Sequence, residues 1–239
     1  MPENDKRFAV LIDADNVSEK YIKPLLDEIS KDGIITYKRI YGDWTRPGLS
    51  SWKNSLLSHS ITPMQQYGYT TGKNSTDSAL IIDAMDILYT GNVDGFCIVS
   101  SDSDFTRLAA RLRESGMYVV GMGEKKTPKP FIAACNRFVY LEILSSEQQR
   151  PEASENADGM NIKAVRKAIG DILDEISDDD GWASLSELGN LLLKRFPSFD
   201  VRNFGFKQLT PFIKSLGNFE VYSVPGAKGK GQVLYVRRK

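Results

Sequence analysis

Acidic side chains follow two apolar segments of the sequence and begin one helical segment. Asp13 ends the run FAVLID, Asp102 and Asp104 follow the run GFCIVSS, and Asp77 lies in the first turn of STDSALIIDAMDILYTG. If these carboxylates were brought together, their mutual repulsion would be costly without a cation. Mg²⁺ and Mn²⁺ prefer oxygen ligands, so the residues predict a site for one of these ions.

Polar residues accompany the carboxylates in both strand-like segments. Asp15 and Asn16 follow Asp13, and Ser101 precedes Asp102. In parallel α/β sheets, ligands bind beyond the carboxyl ends of the strands, near a change in strand order. The two segments would therefore meet if the first and fourth strands are neighbours.

Each carboxylate also has a plain structural interpretation. Asp13 could simply end a strand, and Asp77 could stabilise the start of a helix through the helix dipole. Asp102 and Asp104 could cap the next helix and stabilise its first turn. We favour the metal site because otherwise all of these separate interpretations would have to coincide at one edge of one sheet.

The histidine and cysteine content excludes several kinds of chemistry. His59 is the one histidine of the chain, which rules out a two-histidine ribonuclease mechanism and a zinc site with the usual Cys/His ligand count. Cys97 and Cys135 lie in apolar segments and are expected to be core thiols in a reducing cytoplasm. Catalysis would then depend on carboxylates, lysines or hydroxyls.

Short apolar segments alternate with helical segments from Phe8 to Leu144. Six of them predict strands: FAVLI, ITYKRIY, ITPMQQY, GFCIVSS, YVVGMG and FVYLEIL. This alternation predicts an α/β fold with a parallel sheet sandwiched by helices over residues 1–144. No apolar run approaches the roughly 20 residues of a membrane span, and the segment MPENDKRF lacks a signal-peptide pattern, so no membrane association is expected.

The sequence after residue 144 changes character twice. Residues 145–160 are polar and acidic and predict a linker. Residues 161–239 predict a small α+β domain with three helices followed by a β-hairpin, which is the order of a winged helix. This part has 13 Lys+Arg against 9 Asp+Glu, and the preceding 160 residues have 18 against 22, so the basic charge favours a polyanionic partner.

Three motifs of the first domain resemble the NYN branch of the PIN-like, or LabA-like, ribonucleases. They are LIDADN, KNSTDSALIIDAM and IVSSDSDFTRL, and the resemblance covers roughly residues 8–144. It implies a PIN-like Rossmannoid fold and a metal-dependent endoribonuclease that uses Mg²⁺ or Mn²⁺. The acidic centre that it implies, both catalytic and metal-binding, consists of Asp13, Asp77, Asp102 and Asp104.

The same resemblance suggests roles for neighbouring residues. Asn16 and Ser101 would orient ligands or bind RNA phosphate. Asp83 would be a weaker member, although six residues along a helix turn it about 240° from Asp77, so it is not expected to share the metal. The further acid that many PIN nucleases carry early in a helix has no clear counterpart here, with Glu19 and Glu28 as the candidates.

The C-terminal part resembles the OST-HTH, or LOTUS, domain, a winged helix that binds RNA. The resemblance rests on GWASLSELGNLLLKRFPSFDVRNFGFKQLTPFIKSL and on the closing strands FEVYSVPG and QVLYVRR. It implies RNA as the partner and leaves open a homo-oligomer or a protein partner through this domain. Lys228 and Lys230, among the glycines of GAKGKG, are expected to bind RNA phosphate.

Further basic and aromatic residues of the first domain are candidates for RNA contacts. Lys73 in YGYTTGKNS could reach a phosphate, although the spacing of the glycines does not match a phosphate-binding P-loop. Arg46 and Arg107 could also bind phosphate or simply be solvated. Trp44 and Trp52 could stack on bases or pack in the core.

Two other functions fit parts of the sequence. The Asp-x-Asp pattern of LIDAD also occurs in haloacid-dehalogenase-type phosphohydrolases, in which Asp13 would be the nucleophile and Asp15 the general acid–base. The expected threonine is displaced, with Val17 and Ser18 following Asn16, and no cap domain is evident. A catalytically inactive RNA-binding or adaptor protein is the other alternative.

Overall fold

The computed structural model describes residues 5–67, 75–145, 162–225 and 232–239. The chain divides into two compact units, residues 1–147 and residues 148–239. Apart from Ser145, the predicted linker lies outside the described residues. No helix in the described parts of the chain is long and apolar enough to cross a membrane.

The first unit contains one sheet of six parallel strands in the order β3-β2-β1-β4-β5-β6. The strands are β1 (Lys6–Asp13), β2 (Gly33–Gly42), β3 (Thr62–Gln65), β4 (Gly95–Val99), β5 (Tyr118–Gly123) and β6 (Arg137–Tyr140). After β3 the chain crosses to the other side of β1, so the strand order changes direction between β1 and β4. Ligands bind at this kind of switch point in parallel sheets.

Helices cover both faces of this sheet. They are α1 (Ile22–Ile29), α2 (Trp52–His59), α3 (Ser75–Thr90), α4 (Thr106–Glu114), α5 (Lys129–Ala134) and α6 (Leu141–Ser145). Along β1, Val10 and Ile12 pack into a core with residues of α1 and α6, whereas Ala9 and Leu11 pack with residues of α3, α4 and α5. Both faces of β1 are therefore buried, which explains its nearly continuous apolar sequence. The predicted α/β sandwich is confirmed.

The end of the sheet differs from the sequence prediction. Of the predicted strand FVYLEIL, only the first part belongs to β6, and the chain continues directly into α6. Leu141 and Leu144 are buried in the core cluster that α1 also joins. An apolar run of this length fits a strand or a buried helical turn equally well, so periodicity could not place the boundary.

The second unit has its own hydrophobic core and a three-stranded antiparallel sheet in the order β7-β9-β8. Its elements are α7 (Ile162–Ile176), β7 (Ala183–Ser184), α8 (Leu185–Arg195), α9 (Leu209–Ser215), β8 (Phe219–Pro225) and β9 (Gln232–Arg238). The predicted order of three helices and a hairpin is confirmed. The short strand β7, which pairs with β9, adds a third strand to the predicted hairpin.

Candidate metal centre

Three carboxylates meet at the switch point of the sheet. One oxygen atom each of Asp77, Asp102 and Asp104 lies within 4.8 Å of the other two. Asp77 lies in the first turn of α3, and the other two residues follow β4 in the loop that leads to α4. Helix α3 contacts both β1 and this loop, so the fold itself holds the three residues together.

This set of donors suits a divalent cation. All three side chains supply oxygen, which Mg²⁺ and Mn²⁺ prefer, and these ions keep several water ligands, so a few carboxylates suffice. Asp77 and Asp102 are half-buried and Asp104 is exposed, which leaves one side of the cluster open to solvent. The residues present therefore fit the metal that the sequence predicts.

Asp13 lies beside these three residues and is fully buried. Its carboxylate accepts hydrogen bonds from Asn16 Nδ2 at 2.7 Å, from Ser100 Oγ at 2.8 Å and from the Asp15 amide at 3.0 Å. Burial raises the pKa of Asp13, and these three hydrogen bonds oppose the rise. The site thus contains a desolvated carboxylate in a fixed orientation.

The pKa of Asp77 is affected by the other acids nearby. Its pKa is raised to about 6, first by burial and then by the charges of Asp13, Asp102, Asp104 and Asp15. Like charges disfavour the ionised form of a carboxyl group, and a bound cation would reverse this effect. The predicted acids therefore lie close enough for their charges to raise the pKa of Asp77.

Ser100 is a site residue that the sequence analysis missed. Its hydroxyl donates to Asp13 and accepts from the Asp102 amide at 3.1 Å, which connects the ends of β1 and β4. Ile12 pairs with Val99 in the strand register, so Asp13 and Ser100 are the next residues of two adjacent strands. The register could have identified Ser100 once β1 and β4 were assumed to be neighbours.

The loop after β4 is shaped by the same residues that supply its carboxylates. Asp102 Oδ1 accepts from the Asp104 amide at 2.9 Å and caps the short 3-10 turn Ser103–Phe105. Phe105 is fully buried and anchors this turn. The capping interpretation of Asp102 is thus correct and compatible with metal binding, because a carboxylate has a second oxygen.

The structure places the predicted substrate-binding residues in different settings. Asn16 orients Asp13, whereas Ser101 Oγ accepts from the Glu124 amide at 2.9 Å and so connects the loops after β4 and β5. Lys73 lies in residues 68–74, and Lys228 and Lys230 lie in residues 226–231. Both stretches are outside the described residues, and these three lysines remain predictions.

The additional acids considered from the sequence have other partners. Asp83, on α3, accepts hydrogen bonds from Arg39 and Tyr41 of β2. Glu28 pairs with Arg137 and Lys31. Glu19 accepts a hydrogen bond from the Ser55 hydroxyl. These contacts give the three acids structural roles, in keeping with the expectation that Asp83 does not share the metal.

The remaining RNA-contact candidates are resolved in part. Trp52 is buried in the core, so its interpretation as a base-stacking residue is wrong. Trp44 is half-buried, and its indole nitrogen donates to the Met64 carbonyl at 3.1 Å. Arg46 lies 3.6 Å from the carboxylate of Asp15, and Arg107 is exposed on α4.

Comparison with known proteins gives two family matches. The model of the NYN domain matches residues 7–142, and the model of the OST-HTH/LOTUS domain matches residues 160–230. No curated protein matches the chain.

Solved structures of two proteins without a known function are similar to this chain. One, from Vibrio parahaemolyticus, is 19% identical with a TM-score of 0.50, and the match covers 59% of this chain and 95% of that one. The other, from Nitrosomonas europaea, is 32% identical with a TM-score of 0.31, and the match covers 39% of this chain and 83% of that one. The similarity to the first of these proteins shows a shared fold and nothing further.

The NYN match spans more than half of the chain and includes the acidic cluster at the switch point. The parallel sheet has the PIN-like architecture that this family implies, and the winged helix follows it. The matching family is not that of the phosphohydrolases considered from the LIDAD motif. The chain therefore belongs to the NYN-domain family and carries a C-terminal OST-HTH/LOTUS domain.

Proposed function

We propose that this protein is a metal-dependent endoribonuclease whose C-terminal domain binds the RNA substrate. The observation that carries the proposal is the cluster of three carboxylates whose oxygens lie within 4.8 Å of one another at the switch point of the sheet. Membership of the NYN family supports it, since these domains have a ribonuclease-like fold. The OST-HTH match supports the second half, since such domains bind RNA.

The proposed roles follow from the contacts of each side chain. Asp77, Asp102 and Asp104 would hold Mg²⁺ or Mn²⁺, and Asp13 would bind it directly or through water. A bound ion would activate water as the nucleophile and stabilise the charge that develops on the phosphate. Asn16 and Ser100 keep the Asp13 carboxylate in one orientation through their hydrogen bonds.

We propose a cytoplasmic location, in agreement with the state of the two cysteines. Cys97 and Cys135 are buried free thiols. Burial raises the pKa of both thiols, that of Cys135 to about 12, so neither is activated as a nucleophile. The proposed chemistry therefore uses the carboxylates of the site and not these thiols.

The test is cleavage of end-labelled single-stranded RNA with and without Mn²⁺. We expect Asp13→Asn and Asp102→Asn to reduce cleavage by about 100-fold or more, equivalent to about 2.7 kcal/mol in the activation barrier. Asp86→Asn is the matched control, because Asp86 is an exposed acid of α3 outside the cluster. EDTA should abolish cleavage by the parent protein.

Three other outcomes would contradict the proposal. Equal cleavage by the parent and both site variants would assign the activity to a contaminant. RNA binding without any cleavage would support an inactive RNA-binding or adaptor protein. Hydrolysis of small phosphomonoesters with intact RNA would support the phosphohydrolase alternative.

A further inference from the structure

A basic cavity lies on the C-terminal domain. It has a volume of about 570 Å³ and lies between the first half of α7, the turn before β8 and the end of β9. None of the described residues that line it is acidic. Its volume is within the range of about 300–1,000 Å³ that is typical of ligand sites. Five basic residues line it, namely Lys163, Arg166, Lys167, Arg238 and Lys239.

The charges of α7 oppose its helix dipole. The amino end of a helix carries partial positive charge and favours acidic side chains. In α7 the first turn has no acid, and Lys163, Arg166 and Lys167 occupy the first two turns. Its acidic residues all lie in the second half of the helix, at positions 171, 174 and 175. A bound anion at the amino end would offset this unfavourable arrangement.

A glycine of α7 makes room for one of the cavity's arginines. A Cβ atom placed on Gly170 would lie 2.0 Å from Nη2 of Arg238, so the guanidinium packs directly on the helix backbone. The Nη1 atom of Arg238 lies 3.4 Å from Asp174 Oδ2. A glycine inside a helix is destabilising relative to alanine. Gly170 therefore leaves room for the Arg238 guanidinium, which lines the cavity together with Arg166.

Arg166 differs from other arginines of this domain. Arg195, Arg202 and Arg237 each form an ion pair with a nearby carboxylate. The Nε atom of Arg166 is buried, and no hydrogen-bond partner for it exists among the described residues. A buried donor without an acceptor is destabilising, and a ligand oxygen would supply the missing acceptor.

We infer that this cavity binds phosphate groups of the RNA backbone. Guanidinium and ammonium groups form charge-assisted hydrogen bonds with phosphate oxygens, and arginine does so in a bidentate manner. The inference rests on the proposed function, since it assigns the RNA contact of the C-terminal domain. It assigns that contact to the start of α7 and the carboxyl end of β9 instead of to Lys228 and Lys230.

The test is the salt dependence of RNA binding by the full chain. Binding of a fluorescently labelled single-stranded RNA is followed by anisotropy in EDTA, between 50 and 200 mM salt. The double variant Arg166→Gln/Lys167→Gln should bind more weakly, with a slope of log affinity against log salt that is flatter by about 1.4. The ratio of parent to variant affinity should consequently shrink about sevenfold across this salt range.

Two controls distinguish an effect of the cavity on RNA binding from an effect of net charge and from misfolding. Lys194→Gln/Lys214→Gln makes the same change in charge at two exposed positions outside the cavity and should leave the slope nearly unchanged. Gly170→Ala keeps every charge but displaces the Arg238 guanidinium, and it should flatten the slope by about 0.7 while the melting temperature is kept or raised. Gly189→Ala, in α8, is its matched control.

The following results would overturn the inference. Equal losses of RNA affinity in the two double variants would show that binding depends on the net charge of the domain and not on the cavity. Unchanged binding in the cavity variants, with loss in Lys228→Ala/Lys230→Ala, would place the phosphate contact at the hairpin tip. Absence of RNA binding by the full chain would exclude RNA as the ligand of this cavity. Because EDTA removes cleavage from the measurement, failure of the nuclease proposal would leave the binding result unaffected.

Discussion

The hydroxyl of Ser100 donates a hydrogen bond of 2.8 Å to the Oδ2 atom of Asp13. Asp13 ends β1, and Ser100 follows β4, so this bond crosses the switch point of the sheet. The same hydroxyl accepts from the amide of Asp102 at 3.1 Å. Ser100 thus fixes the buried carboxylate relative to the loop that carries Asp102 and Asp104.

Replacing this hydroxyl should weaken the site without unfolding the protein. Ser100→Ala removes one of three donors to Asp13, and we expect Mn²⁺ affinity and RNA cleavage to fall about tenfold, as for other groups that orient metal ligands. Loss of a hydrogen bond to a buried carboxylate should also reduce the free energy of unfolding by about 1–3 kcal/mol. Calorimetric titration with Mn²⁺ and urea unfolding would measure both effects.

The neighbouring serine provides the comparison. Ser101 Oγ accepts from the Glu124 amide, so Ser101→Ala should affect the free energy of unfolding but change Mn²⁺ affinity much less. Equal effects of the two substitutions on Mn²⁺ affinity would show that the bond between Ser100 and Asp13 does not set the metal site.

The sequence predicts the centre of this sheet well and its margins less well. The runs that form β1 and β4 are buried on both faces, and they are followed by polar residues, so both the strands and the site edge were identifiable. Leu141 and Leu144 are equally apolar but belong to a helix that packs on the sheet. Short apolar runs carry no period that distinguishes these two cases.

The site residues also differ in how well the sequence could predict them. The carboxylates could be grouped because the ends of β1 and β4 and the start of α3 were expected at one edge of the sheet, where ligands bind. Ser100 was harder to predict, because a serine at a strand end is common and its role depends on the hydrogen bond to Asp13 of the neighbouring strand. Trp52 was ambiguous for the reason that an aromatic side chain suits both a core and a base-stacking surface.

Metal binding should weaken in acid because a proton competes at Asp77. With a pKa of about 6 in the metal-free protein, this carboxyl is mostly ionised at pH 7 and mostly protonated at pH 5. Ligands must be deprotonated to bind, so the dissociation constant for Mn²⁺ should rise about tenfold from pH 7 to pH 5. Titration calorimetry at several pH values would show this, and a constant affinity over the range would contradict it.

Removing one charge of the cluster should stabilise the metal-free protein. The pKa of Asp77 in the folded state lies above its usual value of 3.8, so the free energy of unfolding falls as the pH rises from about 4 to 6. Asp77→Asn should therefore raise it by on the order of 1 kcal/mol above pH 6, after allowance for solvent screening, and leave it nearly unchanged below pH 4. Added Mn²⁺ should stabilise the parent and not the variant. Urea unfolding in EDTA at pH 4 and pH 8 is the measurement, and a loss of stability at pH 8 would refute the repulsion argument.

Asp83 is expected to act on stability through the contact between α3 and β2. Its carboxylate accepts from Arg39 and Tyr41, and all three side chains are largely buried or half-buried. Asp83→Ala would leave a half-buried guanidinium without its partner and should reduce the free energy of unfolding by about 2–4 kcal/mol. Asp86→Ala, an exposed position of the same helix, should change it by less than about 0.5 kcal/mol. Similar changes in the free energy of unfolding for Asp83→Ala and Asp86→Ala would show that the contact between α3 and β2 has no specific role in stability.

The two halves of the chain should fold independently of each other. Each has its own buried core, and apart from one proline the sequence of residues 145–159 offers no apolar side chain larger than alanine to bury. Limited proteolysis should therefore cut first between residues 145 and 160 and yield two resistant fragments. Fragments 1–144 and 161–239, produced separately, should each unfold cooperatively, with Mn²⁺ raising the melting temperature of the first only. A non-cooperative transition in either fragment would mean that its fold depends on the other half, and first cleavage inside either core would contradict the proposed boundary.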